Sequence, residues 1–402
     1  MTGALDGVRV IEMTSVVLGP YACQMLGDLG ADVIKIEPLT GDTNRNLGPH
    51  RNNKDMSALY LSCNRNKRSV ALNLKSKSGK KVALEIIKTA DVVIHNFRPQ
   101  AMNRLGLDYE HVKAINPEII YCGTYGFGKA GPYGDKGALD DSIQAASGIA
   151  LLQSKMEGEP RYLPTIISDK TTGLMVVQAV LAALFHKQRT GEGQQLEVPM
   201  FETMVSFTMI EHIWGQAFNP AIGKAGYTRL MAKHRRPYKT KDNQYLAVLP
   251  YWDNHWKTFC DIAQHPELAE DERFIDMASR LKNIEQSYKI TADIIESRTR
   301  DEWLELLGDT KVPMMVVNSL DDLIDDPHLV ASDFWQEFEH PSEGQLRMSS
   351  PPINFDKTPA TIRRLAPRLG EHSIEILSEV GFDQASIDSL LSSGEVKTAN
   401  KL

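Results

Sequence analysis

Short apolar stretches alternate with helical patterns along the first third of the chain. The apolar sequence VRVIEM begins at Val8, Gly19 and Pro20 break the pattern, and the apolar residues of YACQMLGDLG then recur at helical spacing. The apolar sequence VIKIE follows and ends at Glu37. Apolar runs of this length are typical of strands and the 3.6-residue period is typical of helices, so the order predicts a β-α-β unit.

A second unit of the same kind follows. Residues 78–90 have a helical pattern, DVVIHNF ends a strand at Phe97, and EIIYCGTYG predicts another strand over residues 118–126. Apolar strands that alternate with helices predict a parallel sheet that is covered on both faces. Ligands of such sheets bind beyond the carboxyl ends of the strands.

The loops around these strands carry groups suited to an anion. TSVVLGPYA follows the first strand, NRNKRSVALNLK spans residues 64–75, and NFRPQAMNRLG spans residues 96–106. Each places backbone amides, asparagine or cationic side chains at an end of the sheet. Any one of them is also typical of a solvated turn, but three at equivalent positions favour a phosphate-bearing ligand.

The chain changes character after Tyr227. A basic stretch leads to a turn at residues 241–243 and a strand at residues 245–249, and a charged, mostly helical segment continues to Gly308. These features predict a second, smaller α+β domain. Residues 174–185 are strongly apolar and predict a buried helix, because spanning a bilayer takes about 20 such residues. The tail predicts two short amphipathic helices that stop at glycines.

Composition and charge narrow the class of protein. The length of 402 residues exceeds what one compact core usually holds, which predicts two domains. Lys and Arg number 45 against 52 Asp and Glu, a formal net charge of -7, so no overall positive field would attract nucleic acid or a membrane surface. The four cysteines are scattered without CxxC spacing, and no secretion signal is recognised at the N-terminus, so we expect a reducing cytoplasm.

Acidic residues at two helix starts are candidates for chemistry. Asp169 stands where an apolar stretch meets a long helical pattern, so it is either a helix N-cap or a nucleophilic or acid/base carboxylate. Asp140 and Asp141 begin another helical pattern and are expected to cap it and to carry solvated charge. No two histidines stand four residues apart, so no metal site is predicted. Glu37 resembles the acid that holds a dinucleotide ribose, but no GxGxxG stands in the turn between the first strand and the helix that precedes Glu37, and GxSxG and P-loop motifs are missing from the sequence.

Taken together, several segments resemble the class III CoA-transferases, the family of formyl-CoA transferase and carnitine CoA-transferase that also contains the α-methylacyl-CoA racemases. The similarity covers nearly the whole chain, in the segments LDGVRVIEMT, GPYACQMLGDLGADVIKIEP, NRNKRSVALNLK, NFRPQAMNRLGLDY, TYGFGKAGPY, SDKTTGL, HKQRTGEGQ, RRPYKTKDN and APRLGEH. The resemblance implies an α/β fold with a Rossmann-like, sequence-discontinuous large domain, a smaller α+β domain, and two ring-shaped subunits interlocked as a homodimer.

The same resemblance sets the expected domain limits. The first part of the large domain is expected at residues 1–200, a linker helix at 201–225 and the small domain at 226–320. A return linker and the C-terminal part of the large domain follow at 321–402. We expect no permanently bound cofactor, with coenzyme A and acyl-CoA as substrates.

The resemblance also assigns roles to residues. The family's nucleophilic aspartate falls on Asp169, which implies attack on an acyl-CoA thioester, an acyl-aspartyl anhydride and an aspartyl-CoA thioester. Oxyanion donors are expected from the helix start after Asp169 or from an adjacent Gly-rich loop. Family members often have an Arg at Pro38 and a Lys at Gly137. The implied CoA contacts are Val17, Leu18, Leu72, Asn73, Leu74, Lys75, Asn96, Phe97, Arg98, Arg104, Lys136, Gly137 and Asp140.

The small domain departs from the formyl-CoA transferase pattern. LPYWDNHW, residues 249–256, replaces a glycine-rich lid, and Tyr251 and Trp252 cannot move as polyglycine does. We expect an acceptor other than oxalate or formate. Arg235 or Arg236 is a hypothetical receiver of an acceptor carboxylate, of a dicarboxylate for instance, against the alternative of solvated or structural arginines.

Two other functions stay open. A racemase of this family needs a second acid/base group, but this chain has Leu139 where such members carry a histidine, and leucine cannot carry a proton. The second alternative is a protein that binds acyl-CoA and does not catalyse its conversion.

Overall fold

The computed structural model of the protein describes residues 3–399, except for the side chains of residues 155–157. The chain forms two compact units. The first unit comprises the described residues of Met1–Ser147, Leu163–Phe207 and Val330–Leu402, and the second comprises Gly148–Tyr162 and Thr208–Leu329. The first unit is therefore assembled from three separate stretches of the chain.

The strands form three sheets. They are β1 Arg9–Met13, β2 Asp32–Glu37, β3 Lys67–Leu72, β4 Val92–His95, β5 Ile120–Gly123, β6 Gln194–Glu197, β7 Tyr238–Lys239, β8 Tyr245–Val248, β9 Met314–Val316, β10 Trp335–His340, β11 Gly344–Ser349 and β12 Val396–Lys397.

The central sheet belongs to the first unit and has the order β12-β3-β2-β1-β4-β5-β6. Strands β1 to β6 pair in parallel, and β12 adds an antiparallel edge beside β3. The predicted α/β class with a mostly parallel sheet is thus confirmed. From β1 the chain builds outward through β2 and β3 on one side and through β4 to β6 on the other, so the strand order reverses between β1 and β4. Such a switch point is where doubly wound sheets bind ligands.

The helices follow the alternating pattern. They are α1 Leu18–Asp28, α2 Ala58–Cys63, α3 Lys77–Lys88, α4 Pro99–Leu105, α5 Tyr109–Ile115, α6 Asp140–Ala146, α7 Ile149–Glu157, α8 Ile167–Thr190, α9 Met200–His212, α10 Asp253–Ile262, α11 Glu267–Glu270, α12 Met277–Lys282, α13 Ile284–Ile295, α14 Arg300–Leu307, α15 Pro327–Ala331, α16 Ser373–Glu379 and α17 Gln384–Ser392.

One face of the central sheet carries an apolar core. Ile11 of β1, Ile34 of β2 and Val93 of β4 are fully buried there, together with Ile86 of α3 and Ile376 of α16. The two predicted C-terminal helices thus lie in the first unit, where α16 and α17 contribute to this core.

Helix α8 differs from its prediction. It is 24 residues long, and Leu174 and Phe185 are 54% and 61% exposed, so the expectation of a buried helix is wrong for its outer face. By length and composition alone, α8 is long and apolar enough to cross a membrane, and 39% of its most apolar stretch is buried in the protein. Its other face packs against α1, where Gly173 lies so close to the Leu18 carbonyl that a β-carbon would come within 3.0 Å.

The second unit has its own small sheet and core. Strands β7, β8 and β9 form an antiparallel sheet. Its core contains Trp256 and Phe259 of α10, Phe274, and Trp303 of α14, all fully buried. The indole Nε1 of Trp303 donates a 2.8 Å hydrogen bond to the Ile295 carbonyl, so this large side chain is also satisfied as a donor.

Candidate active site

A cleft opens at the carboxyl ends of β1, β4 and β5, at the switch point of the central sheet. It holds about 750 Å³ of space that protein atoms do not fill. Its walls come from the loops after the three strands, from the segment before α6, and from the starts of α8 and α9. The lining residues are Ser15, Val16, Leu18, Asn96, Arg98, Pro99, Thr124, Tyr125, Gly126, Gly134, Lys136, Gly137, Ala138, Leu139, Asp169 and Met200.

The loop after β1 is fixed by polar side chains from other loops. Asn96 accepts a hydrogen bond from the Ser15 amide at 3.2 Å and donates one to the Ser15 carbonyl at 2.9 Å. Val16 has a left-handed backbone with φ +70°, a conformation that β-branched residues rarely adopt. Asp42 accepts from the Val16 amide at 3.2 Å, and Asn44 donates to the Val16 carbonyl. The loop is therefore held in a strained conformation by its neighbours.

A buried network of ion pairs holds Asp42, which bonds the loop after β1. Lys35 of β2 donates to Glu12 of β1 at 2.7 Å and to the Thr14 carbonyl at 3.0 Å, and it pairs with Asp42 at 2.9 Å. Lys67 of β3 pairs with the other Glu12 oxygen at 2.8 Å. Burial acts to raise the pKa of Glu12, but the two lysines hold it below its usual value.

Asp169 is the third residue of α8, within its first turn. The N-cap is Ile166, so the alternative that Asp169 caps this helix is wrong. Asp140 performs the capping from another helix, because its Oδ1 accepts from the Ser168 amide at 2.7 Å and from the Asp169 amide at 3.0 Å. Asp140 thus connects the start of α6 to the start of α8 and positions Asp169 at the cleft.

The Asp169 carboxylate is almost buried but lacks partners. It is 8% exposed and receives no hydrogen bond from any residue that the structure describes. Burial, and secondarily the charge of Asp140, raise the pKa of Asp169 to about 7. A desolvated carboxylate that faces a cleft and titrates near neutral pH has the properties of a nucleophile or general base.

The expected oxyanion donors at the helix start are not available. The Ser168 and Asp169 amides bond to Asp140, and the Lys170 amide bonds to the Ile166 carbonyl at 3.2 Å. This part of the prediction is wrong, because the first turn of α8 already has acceptors. The alternative, an adjacent Gly-rich loop, is represented by Gly137 and Ala138, which line the cleft.

Two cationic side chains, Arg98 and Lys136, line the cleft. The Arg98 guanidinium lies against Gly137 so closely that a β-carbon there would come within 3.0 Å of it. A side chain at that position would require the end of the Arg98 side chain to shift by a few tenths of an ångström. Lys136 lies over the Tyr133 ring at 4.2 Å, where the ring face favours its charge.

The structure brings together some of the predicted CoA contacts and not others. Leu18, Asn96, Arg98, Lys136 and Gly137 line the cleft with Asp169, and Asp140 bonds the Asp169 amide. Residues outside the lining are Val17 and Leu72, which are buried, Leu74, which packs on the core, Asn73, which is half-buried, and Lys75, Phe97 and Arg104, which are exposed.

Sequence reasoning missed several lining residues. Thr124, Tyr125 and Gly126 were placed inside a predicted strand, but β5 ends at Gly123 and these residues turn into the cleft. Burial and the neighbouring Glu197 carboxylate raise the pKa of the Tyr125 hydroxyl above its usual value. The rule that ligands bind at strand carboxyl ends identifies all three once the strand end is placed correctly.

The dinucleotide alternative requires that Glu37 be free to hold a ribose. Glu37 is buried and accepts hydrogen bonds from Arg45 at 2.7 and 2.8 Å and from Ser69 at 2.7 Å. Its carboxylate is therefore committed to the protein. Among residues 3–399 no group of three or more His, Cys, Asp or Glu side chains is placed to hold a metal ion.

The four candidate acceptor residues lie in the second unit. Arg235 and Arg236 are exposed and line a surface recess with Tyr238. Tyr251 lines a separate cavity, and the Trp252 ring lies 5.0 Å from the Tyr251 ring in an edge-on arrangement.

Comparison with known proteins gives a consistent family. Residues 5–373 match the model described as CoA-transferase family III. A human protein named succinyl-CoA:glutarate CoA-transferase is 33% identical over 399 residues, which cover 98% of this chain and 90% of that protein. A Rhodopseudomonas palustris protein named formyl-CoA:oxalate CoA-transferase is 30% identical, over 100% of this chain and 99% of its own. The crystal structure of a CAIB/BAIF family protein from Brucella suis aligns with a TM-score of 0.80 at 30% identity, over 94% of this chain and 100% of that one.

Proposed function

Because the chain belongs to CoA-transferase family III, we propose that it moves CoA from an acyl-CoA donor to a carboxylic acid acceptor through covalent intermediates on Asp169. The observation that carries the proposal is the Asp169 carboxylate itself. It is desolvated, lacks hydrogen-bond donors among the described residues, and lies at the cleft with a pKa raised to about 7. These properties favour nucleophilic attack on a thioester near neutral pH.

The proposed cycle uses four acyl transfers. The Asp169 carboxylate attacks the donor thioester carbonyl, and the C–S bond breaks to give an acyl-aspartyl anhydride and CoA thiolate. The thiolate then attacks the aspartyl carbonyl, which releases the donor acid and leaves an aspartyl-CoA thioester. The acceptor carboxylate opens this thioester to a new anhydride and CoA thiolate. Attack of the thiolate on the acceptor carbonyl gives the product acyl-CoA and restores Asp169.

The cleft provides groups that suit this cycle. Arg98 and Lys136 supply local positive charge for CoA phosphates in a chain with a net charge of -7. The amides of Gly137 and Ala138 are the proposed oxyanion donors. We also propose CoA contacts at residues that do not line the cleft, namely Val17, Leu72–Leu74, Lys75, Phe97 and Arg104. Mutation of these residues would test their contribution to CoA binding separately from that of the cleft residues.

For the acceptor, we propose a dicarboxylate received by Arg235 or Arg236. The support is the pair of exposed arginines in one recess and the similarity to a relative named for succinyl-CoA and glutarate. Arg235→Ala and Arg236→Ala should raise the acceptor KM while leaving the donor KM unchanged. An unchanged acceptor KM in both variants would contradict this assignment.

The nucleophile is tested by trapping. The purified protein is incubated with a panel of acyl-CoAs, including succinyl-CoA, and then with hydroxylamine or borohydride, and the adduct is located by mass spectrometry. We expect it on Asp169, and none in Asp169→Asn. Asp141→Asn, which alters an exposed carboxylate nearby, is the matched control and should trap normally. Transfer of CoA to an acceptor without any adduct on Asp169 would contradict the mechanism.

The racemase alternative has less support. Leu139 is 71% exposed at the cleft, where a racemase needs a second acid/base group. Solvent-deuterium exchange at the α-carbon of a 2-methylacyl-CoA tests this alternative directly, and we expect none. Transfer to an acceptor separates the proposed enzyme from a non-catalytic acyl-CoA-binding protein.

We further propose that the protein is an interlocked homodimer of the cytoplasm. The exposed apolar side chains of Leu174 and Phe185 on α8 support a contact between subunits at this helix. All four cysteines are buried free thiols, as suits a reducing compartment.

A further inference from the structure

The second unit contains a cavity between its small sheet and helices α12 and α13. The cavity is partly open, and its empty space of about 440 Å³ includes solvent at its mouth. Val248 of β8, Met277 and Leu281 of α12, and Ile284 of α13 give it an apolar wall. A partly open recess with this apolar lining suits a narrow hydrocarbon chain.

Arg229 places a positive charge in this cavity without a protein counterion. Its Nε is buried and has no hydrogen-bond partner. No carboxylate among residues 3–399 lies within ion-pair distance of its guanidinium. The guanidinium lies over the Tyr251 ring, with Cζ 4.3 Å from the ring centroid, where the ring face favours its charge. Arg229 is half-buried, and its buried Nε–H is a donor whose missing partner a ligand would supply.

The neighbouring polar groups are already committed. Arg280 donates to the Phe274 carbonyl at 2.8 Å, to the Tyr251 carbonyl at 3.0 Å and to Asp253 at 2.6 Å. The Thr291 hydroxyl donates to the Ser287 carbonyl at 2.9 Å. Of the two arginines in the lining, Arg229 is therefore the one whose charge is available to a ligand.

We propose that this cavity binds an aliphatic monocarboxylate, whose carboxylate pairs with Arg229 and whose hydrocarbon body lies against Val248, Leu281 and Ile284. A guanidinium matches a carboxylate with two parallel hydrogen bonds. One available cation matches one negative charge, and the apolar wall favours a hydrocarbon body over inorganic phosphate. The inference concerns the second unit alone and does not rest on the transferase activity or on Asp169.

Hexanoate is a suitable probe, and calorimetric titration of the full-length protein measures its binding. We expect Arg229→Gln to weaken hexanoate binding by at least about tenfold, the loss of a charge-assisted hydrogen bond. Hexanol, with the same body and no charge, should bind weaker by a similar factor. Lys282→Gln, which removes an exposed cation at the end of α12 outside the cavity lining, should bind hexanoate as the parent protein does. Inorganic phosphate should not displace hexanoate.

A second variant keeps the test independent of the folding of Arg229→Gln. Ile284→Trp fills the cavity without changing its charge and should abolish hexanoate binding, while the circular dichroism spectrum stays unchanged. Undiminished hexanoate affinity in either folded variant, equal affinity for hexanol, or no measurable binding of hexanoate to the parent protein would overturn the proposal.

Discussion

Asp169 is the residue on which the proposed chemistry depends, and its environment predicts a pH dependence. The nucleophile must be ionised, and its pKa is raised to about 7, so kcat/KM for the donor should fall about tenfold per pH unit below neutrality. Asp140→Asn removes a like charge while keeping an acceptor for the α8 amides. The midpoint should therefore move to lower pH in this variant.

The midpoint is measured from initial rates with a saturating acceptor across the pH range. Asp141→Asn is the matched control, because Asp141 is exposed and its removal should leave the profile in place. A midpoint that stays fixed in Asp140→Asn would show that burial alone sets the Asp169 pKa.

The same raised pKa predicts that Asp169 reduces stability. An Asp whose pKa is higher in the folded state than in the unfolded state binds its proton more tightly when folded, so stability falls as pH rises from about 4 to 7. Asp169→Asn should raise the free energy of unfolding at pH above 7, by up to on the order of 4 kcal/mol. Urea titrations near pH 4 should show no gain in the free energy of unfolding of Asp169→Asn. A gain that is the same at every pH would contradict the assignment.

Val16 and Val17 offer a paired test of backbone strain beside the cleft. Val16 has φ +70° and Val17 has φ -123°. Val16→Gly should raise the free energy of unfolding by about 1 kcal/mol, because glycine adopts the left-handed region without strain. Val17→Gly should lower it, since glycine there only adds unfolded-state entropy and removes a buried side chain. Thermal or urea unfolding of both variants measures the signs, and equal signs would refute the interpretation.

Among the secondary-structure elements, the central strands carry the ion network that supports the cleft. Lys35→Met leaves Asp42 without its cation and Glu12 with one lysine instead of two. Removing one member of a buried network is expected to lower stability by about 3–5 kcal/mol. The double variant Lys35→Met/Glu12→Gln should lose less than the two single losses together, measured by urea unfolding. Strict additivity would mean that the two groups are not coupled.

Local pattern predicted the elements better than it predicted their ends. Hydrophobic periodicity located β1, α1, β2, α3 and β4, because each element is set by the burial of its own residues. It extended the C-terminal end of β5 by three residues, since Thr124 and Tyr125 have strand propensity although they turn into the cleft. It also treated Asp169 as a cap, because the actual capping residue, Asp140, is far away in sequence. That Asp169 is the nucleophile remains a proposal from family resemblance, which local pattern did not favour.

The outer face of α8 concerns the whole molecule. Leu174, Gln178, Ala182 and Phe185 are all exposed and lie on one face, at positions i, i+4, i+8 and i+11 of the helix. The run of apolar residues shows that the helix is apolar, and from this alone the sequence predicts a helix that is buried within its own chain. A stripe that exposes large apolar side chains such as Leu174 and Phe185 is instead what a subunit interface requires.

Charge placed on this stripe should therefore change the assembly. We expect the parent protein to sediment as a dimer, and Leu174→Lys/Phe185→Lys to shift it toward monomer, because two buried lysines would be desolvated without partners. His186→Lys, at an exposed neighbouring position, is the matched control and should remain dimeric. Sedimentation velocity over a range of protein concentrations measures the shift. A parent protein that is monomeric, or a double variant that remains as dimeric as the parent, would remove α8 from the interface and leave its apolar face to another partner.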